Sequence, residues 1–466
     1  MENVIKAVNN ALSFAYDNIL SIAMMFLLIA AGIFLSVKTG FLQFRRFGYV
    51  MKNTIGLVFN KNLHHRESGS VSPFQAVTTA LAGTIGTGSI AGVATALVLG
   101  GPGAVFWMWV SAIFGMVTKY SEIILALKFR EKNESGAYIG GPMYYIKNGL
   151  GIKWLAGLFA VFAMIACIGT GNATQSNSIS GVLDSNFGIA PWITGLILTV
   201  LVGAVIIGGV KRIATVNEKL VPVMAIFFIL ASVFALIFHA GRIPAAFALI
   251  FREAFNFKSA FGGIAGYGIL SAMRYGVGRG VFSNEAGLGS APIAHSASNT
   301  DSPVKQGFWG VFEVFITTII ICTMSAVVIL TSDMYTVAFG AGVTPPLSGA
   351  ALSSVAFEEA LPHVGGIGIA VSTVFFALST MLGWAYYGEV SVGYLFKNHT
   401  KIAIGAYRIV YVLFVFAGAV AEINTVWLIA DCFNALMALP NLIALIALSG
   451  LVVKITREHF AGSPKN

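Results

Sequence analysis

The sequence predicts an all-α polytopic membrane protein of eleven helices, in which two inverted five-helix repeats follow one extra N-terminal helix. Three observations predict it. Of the 466 residues, 57% are hydrophobic and only 10% charged, with a mean hydropathy of +0.83; soluble proteins carry about 25% charged residues. Apolar runs of about 20 residues, long enough to cross a bilayer, recur along the chain. Two of those runs are interrupted by glycine-rich strings, GTIGTGSIAG from Gly83 to Gly92 and YGVGRGVFSNEAGLGSAP from Tyr275 to Pro292.

In order, the expected spans are 14–37, 73–99, 103–129, 155–184, 192–210, 218–240, 262–294 (broken), 305–331, 366–392, 403–421 and 424–450, the last containing Pro440. The first run has no Lys/Arg-rich start and reads as a retained helix rather than a cleaved signal. Segment 140–153 is short and amphipathic and is expected at a surface. Nothing between the spans is long enough for a soluble domain, so 1–466 reads as one membrane domain. Within it, 14–37 is the extra helix, 73–258 the first repeat and 259–450 the second. The interruptions fall in the second and seventh spans, five apart. Five is odd, so the two copies must be inverted across the membrane. No residue-level repeat supports this symmetry, which rests on spacing.

The net charge of +9 is explained by topology. Lys38, Arg45, Arg46, Lys52, Lys61 and Arg66 share one side with Lys128, Arg130, Lys132, Lys147, Lys153, Lys211, Arg212, Lys219, Lys305, Lys397, Lys401, Lys454 and Arg457. The other side receives only Lys6, Arg242, Arg252 and Lys258, and 332–365 has no Lys or Arg. Cytoplasmic loops carry the excess of positive charge. The N-terminus is therefore expected outside and the C-terminus in the cytoplasm of the cell membrane, with the lipid bilayer and not nucleic acid as the partner. Cys167, Cys322 and Cys432 all fall in apolar runs and read as packing residues. Adjacent His64 and His65 lie in a basic loop, and no metal-ligand motif or nucleophile–base spacing suggests an enzyme.

A break at membrane depth exposes backbone amides and carbonyls, tolerated only where they line a cavity or hold a ligand. Paired broken helices mark transporter binding sites. In the first break, glycines 83, 86, 88 and 92 let backbone approach a ligand, and Thr84, Thr87 and Ser89 supply hydroxyls. A half-helix ending near Ile85 offers carbonyls to a cation, and one starting near Thr87 offers amides to a carboxylate. The other reading of these glycines is helix packing. In the second break, Gly276, Gly278 and Gly280 alternate, and Ser283 or Asn284 would cap a following half-helix with Glu285 in its first turn.

Other polar residues lie on apolar spans. Asn172, Gln175 and Ser176, at i, i+3 and i+4, are expected on one face, either at a site or in interhelical hydrogen bonds. Ser379 and Thr380 form a hydroxyl pair, for ion ligation or for bonding back to their own turn. Intramembrane ionisable residues are Lys119, Glu122, Arg274, Arg279, Glu285, Glu313, Glu389 and Asp431. Arg279 and Glu285 flank the second break and are expected to pair, holding the unwound segment or gating the inner side; Asp431 reads as a proton or cation site, and structural pairing is the more common explanation for each.

The strings GTIGTGSIAGVATALVLGGPGAVFWMW, GGPMYYI and RGVFSNEAGLGSAPIAH closely resemble the alanine or glycine:cation symporter family. The resemblance covers nearly the whole chain. It implies a LeuT-type core of ten helices and sodium-driven uptake of alanine, glycine or a similar small amino acid, with sodium as the coupling ion and no cofactor. By the same resemblance, Gly86, Thr87, Gly88 and Ser89 would hold the substrate carboxylate. Phe282 and Ser283 would line the opposite side, and Gly280 and Val281 would offer carbonyls to the ammonium. Asn172 and Gln175 fall on the matching polar face, and Trp384 would close the pocket. The implied sodium ligands are the carbonyls of Ala82, Ile85 and Phe376 and the hydroxyls of Ser379 and Thr380. One residue departs from the pattern: Ser89 stands where the family commonly has Asn after GTG. The competing functions are a proton-coupled carrier, an intramembrane enzyme, and a channel or sensor.

Overall fold

The computed structural model describes residues 13–14, 16–57, 71–255, 268–335, 347 and 349–461. Lys6, Lys61, His64, His65, Arg66, Lys258 and the first residues of the expected span 262–294 lie outside these.

The chain is a bundle of helices. Helix α1 is Ser21–Lys38. The next apolar segment is split into α2 (Pro73–Thr84) and α3 (Ala91–Gly100). Then come α4 (Gly103–Lys128), α5 (Lys153–Phe187), α6 (Pro191–Ile206), α7 (Gly209–Phe238) and the shorter α8 (Ile243–Ala254). A second split segment gives α9 (Ile269–Asn284) and α10 (Ala291–Ser296). The chain continues through α11 (Pro303–Thr331), α12 (Gly349–Ala360), α13 (Gly365–Leu395), α14 (Thr400–Val420), α15 (Ile423–Ala447) and α16 (Ser449–Ala461). Among the described residues, eight helices are long and apolar enough to cross a membrane, and α3 and α6 are shorter apolar helices.

The split segments lie inside the bundle. Helices α2 and α3 pack on α7, α9, α12 and α13; α4 carries α9 and α11; α5 packs on α13 and α15. Helices α6, α7 and α14 face outward, and Val200, Ile237 and Leu413 are 64%, 60% and 62% exposed. Such side chains meet lipid tails that are as apolar as they are. Inside the bundle, small residues let backbones close up. A Cβ on Gly276 would strike the Ala104 carbonyl of α4, and one on Gly280 would lie 2.6 Å from Ser111 Oγ. These two glycines, four apart, form the small-xxx-small seam between α9 and α4.

Two expectations are corrected here. Segment 140–153 is not a surface element along its length: Pro142, Met143, Tyr144, Tyr145 and Ile146 are all buried, and the segment reaches out only toward its end, at Asn148, Gly151 and Lys153. Amphipathic patterning names the two faces but not what covers the apolar one. Helix α7 begins nine residues before the expected 218, because a helix continues past its apolar stretch and displays Lys211, Arg212 and Lys219.

Candidate functional site

Helix α2 is anchored at its start by a capping box: Ser72 Oγ accepts the Gln75 amide at 3.1 Å, and Gln75 Oε1 accepts the Ser72 amide at 3.2 Å. It ends at Ile85, Gly86 is extended (φ −110°, ψ −165°), and a single 3-10 turn, Thr87–Ser89, leads into α3. The freed polar groups are taken up by side chains from four other segments. Gln175 Oε1 of α5 accepts from the Thr87 amide (3.2 Å) and the Thr87 hydroxyl (3.0 Å). Ser325 Oγ of α11 donates to the Ser89 carbonyl (2.6 Å), and Ser353 Oγ of α12 to the Ile90 carbonyl (3.2 Å). Thr380 Oγ1 of α13 lies 2.7 Å from the Ala82 carbonyl and 2.9 Å from its own helix's Phe376 carbonyl. Every one of these hydroxyls is buried. Unsatisfied backbone in an apolar interior would cost several kcal/mol per group, so this matched set explains how the break persists.

Of the expected cation ligands, Ala82, Phe376 and Thr380 are brought together, whereas Ser379 Oγ turns to Met224 Sδ of α7 (3.4 Å). Ser379 Oγ also meets the Phe376 carbonyl (2.9 Å), and Ile85 packs in one apolar cluster with Ala82 and Phe376. The donor set is neutral oxygen throughout, which suits a hard monovalent cation. Gly86 touches the same point: a Cβ there would stand 2.6 Å from Thr380 Oγ1 and 3.4 Å from Gln175 Oε1.

The second break lies elsewhere than the alternating glycines suggest. Helix α9 runs through Gly276, Gly278 and Gly280 to Asn284, and the unwound stretch is 285–290. No side chain caps α10. Glu285 opens the stretch in the left-handed region (φ 57°), with Gly287 (φ 91°) and Gly289 (φ 81°) following. A non-glycine residue held there stores about 1–3 kcal/mol. Its side chain is fixed by Ser290 Oγ (2.6 Å) and Trp384 Nε1 (2.7 Å). Lys119 of α4 donates to the Asn284 carbonyl at the end of α9 (2.9 Å), where a cation complements the helix dipole. Glu122, one turn on, accepts the Gly287 and Gly289 amides (3.0 and 3.1 Å) and the Asn441 amide (2.6 Å).

The remaining expected residues divide. Ser89 and Ser283 join the first break to the last turn of α9, their hydroxyls 2.9 Å apart, and Ser283 continues to Cys322 Sγ at 3.2 Å. Phe282 packs on Gly88, where a Cβ would lie 2.8 Å from its ring. Trp384 sits one turn beyond Thr380 on α13, with Gly171 leaving room for its ring. Gly280 is buried in the seam with α4, and the Val281 carbonyl accepts the Glu285 amide at 2.7 Å, so the carbonyls expected for an ammonium are engaged within α9. Asn172 does not share a face with Gln175. The π-helical turn Gly169–Ala173 shifts the phase of α5, and Asn172 Nδ2 donates instead to the Tyr411 carbonyl of α14 (2.5 Å). Extra-residue turns of this kind recur at functional sites, and Gly-Thr-Gly is the local signal that marks it.

Arg279 does not pair with Glu285. It makes a two-pronged bridge to Asp431 of α15 (3.1 and 2.9 Å) and lies 4.5 Å from the centre of the Trp427 ring, which packs on Phe282 at 4.8 Å. Arg279, Trp427 and Asp431 line a cavity of about 590 Å³ together with Ala91, Thr95 and Val182.

A family model described as the sodium:alanine symporter family matches residues 3–465. The chain belongs to that family. It is a multi-pass membrane transporter and not an enzyme, and sodium coupling is the family's character. Among similar sodium:alanine symporter relatives, the sodium/alanine symporter AgcS of Methanococcus maripaludis is 47% identical over 413 residues, covering 88% of each chain. The putative sodium/proton-dependent alanine carrier protein YrbD of Bacillus subtilis is 40% identical over 386 residues, 81% of this chain and 79% of that one. The solved structure of MhsT in complex with L-phenylalanine aligns with a TM-score of 0.54 at 14% identity, over 84% of this chain and 99% of that one. That likeness concerns the fold alone: the helical bundle is similar in architecture to LeuT-fold structures.

Proposed function

We propose that the chain imports a small neutral amino acid, alanine or glycine, together with sodium, by alternating access. The observation that carries this reading is Thr380 Oγ1 standing between the Ala82 and Phe376 carbonyls, directly beside the unwound Gly86–Thr87 backbone. Ala82, Ile85, Phe376, Ser379 and Thr380 would hold sodium. The substrate carboxylate would take the Thr87 amide and hydroxyl, whose hydrogen bonds the Gln175 carbonyl now accepts, with Gly86, Gly88 and Ser89 beside it. Phe282 and Ser283 would line the opposite wall, and Trp384 would close the pocket from the lysine-rich side. Glycine backbone faced by Phe282 and Trp384 leaves room for a short side chain.

In this reading the chain has eleven spans, five plus five after α1, with the N-terminus outside. The Arg279–Asp431–Trp427–Phe282 stack is then the outer closure. Each sodium entering gains about 2.3 kcal/mol per 100 mV, enough to support a substantial substrate gradient.

Radiolabelled L-alanine uptake into proteoliposomes tests the reading, with an inward sodium gradient compared with an equal potassium gradient at constant pH. Sodium-dependent accumulation is expected; equal uptake with either ion would overturn it. Ser379→Ala combined with Thr380→Ala removes two ligands to a charged species, each contributing about 1.5–3 kcal/mol. Half-saturating sodium should rise about 100-fold or more, with the melting profile retained. Unchanged sodium dependence would move the ion elsewhere.

A further inference from the structure

The second break gathers more buried carboxyl groups than one sodium at Thr380 accounts for. Glu122, Glu285 and Glu313 are all 0% exposed. Glu313 is satisfied: Lys119 Nζ lies 2.9 Å from it and His295 Nε2 2.8 Å. The other ring nitrogen of His295 lies 2.9 Å from Gln306 Nε2. Lys119 is thereby committed to Glu313 and to the end of α9. Glu122 takes three N–H donors on Oε1, from the Gly287, Gly289 and Asn441 amides, and its Oε2 has no partner among the described residues. Glu285 has one hydroxyl and one indole N–H and, among the described residues, no cation bonded to it.

A second observation points at the same place. The Tyr387 hydroxyl is 0% exposed and has no hydrogen-bond partner. It is aimed at the space in front of Gly83: a Cβ there would lie 2.7 Å from the Tyr387 oxygen and 3.0 Å from Glu285 Oε1. Gly83 belongs to the last turn of α2, where helix carbonyls lack helical partners and carry partial negative charge. A buried carboxylate, an orphan hydroxyl and a helix C-terminus therefore converge on one small volume. These are hard oxygen donors with net negative charge, the chemistry of a small cation.

We infer that Glu285 and Tyr387, facing the end of α2 at Gly83, form a second site for a transported monovalent cation, separate from the one at Thr380. The inference rests on the symport reading above. Sodium and a proton share the required chemistry. The groups facing Glu285 are Lys119 of α4, Cys167 of α5, Glu313 of α11 and Tyr387 of α13, with Glu122 on the adjoining Gly287 and Gly289 amides. Occupation would tie together the end of α2, the start of the unwound stretch after α9, and α13. Those are the elements that must hold their places while substrate is bound.

The test is the charge moved per alanine, read from the reversal potential of alanine flux in proteoliposomes. Two positive charges per alanine are expected for the native protein; one would overturn the second site. Glu285→Gln should lower the ratio to one while alanine is still carried, and a ratio that stays at two would overturn it as well. Varying the sodium gradient at fixed pH, and the pH gradient at fixed sodium, identifies which cation carries the second charge. Should Glu285→Gln fail to fold, Tyr387→Phe keeps the ring and removes one oxygen. Its half-saturating cation concentration should rise about tenfold, and an unchanged value would overturn the site. Absence of any sodium-driven alanine uptake by the native protein would sink the symport reading and this inference with it, whereas uptake with one charge sinks only the second site.

Discussion

Gly86→Ala should lower sodium-driven alanine uptake about 100-fold while leaving the protein folded. The backbone itself tolerates the change, because Gly86 is extended at φ −110° and ψ −165°, a region open to any residue. The effect comes from proximity. The new methyl would stand 2.6 Å from Thr380 Oγ1 and 3.4 Å from Gln175 Oε1. Thr380 is β-branched and stiff about χ1, so its hydroxyl cannot swing away without leaving both the Ala82 and Phe376 carbonyls. Overpacking costs about 1–3 kcal/mol, and displacement of a cation ligand adds a similar amount. Combining Gly86→Ala with Thr380→Ser removes the Thr380 methyl, itself 3.4 Å from the new Cβ, and should recover part of the uptake. Near-native uptake by Gly86→Ala alone would show that the first break is not the site of ion and substrate binding.

Arg279→Leu should destabilise the protein and impair transport together. Removing one partner of a buried ion pair costs about 3–5 kcal/mol, because the other charge is left uncompensated, whereas replacing both by apolar residues is often neutral. Arg279 and Asp431 have side chains each 10% exposed and joined by two hydrogen bonds. Thermal melting should therefore fall for Arg279→Leu and recover in Arg279→Leu with Asp431→Leu. Transport separates a brace from a gate. If the pair opens and closes access from the adjoining cavity, the double variant regains stability but not uptake. Recovery of both would make the pair a structural brace, and an unchanged melt in the single variant would remove its energetic role altogether.

The two breaks differ in how much of them is legible. In the first, glycines alternate with hydroxyls over ten residues and the unwinding is written locally, whereas the side chains that take up the freed backbone, Gln175, Ser325, Ser353 and Thr380, come from remote segments. In the second, Gly276 and Gly280 carry the same local pattern but serve helix packing against α4. The residues that unwind are Glu285 to Ser290, of which only Gly287 and Gly289 give a conformational signal. A glycine reads the same whether it lets two helices touch or lets one helix end; only its neighbour in space separates the two. Asn172 is a related case. Its spacing from Gln175 places both on one face of a regular helix, and the π-helical turn at Gly169–Ala173 rotates them apart. Tyr387 gave no sign at all, since its place in the site depends on Gly83 and Glu285, residues more than 100 positions away.

What the sequence determined by itself was set by local and compositional physics. Membrane residence, the long helices and the break at Gly83–Gly92 follow from lipid's inability to hydrogen-bond and from glycine's lack of a side chain. The pairing of Ser379 and Thr380 with the first break came through resemblance; Thr380 Oγ1 lies 2.7 Å from the Ala82 carbonyl, while Ser379 Oγ meets Phe376 and Met224. Only the tertiary structure decided which partner each buried charge takes. Arg279 meets Asp431, Lys119 meets Glu313, and Glu285 meets Trp384 and Ser290. Coulomb attraction and hydrogen bonding act across space between helices remote in the chain, so helix packing chooses among partners that the sequence alone leaves equivalent.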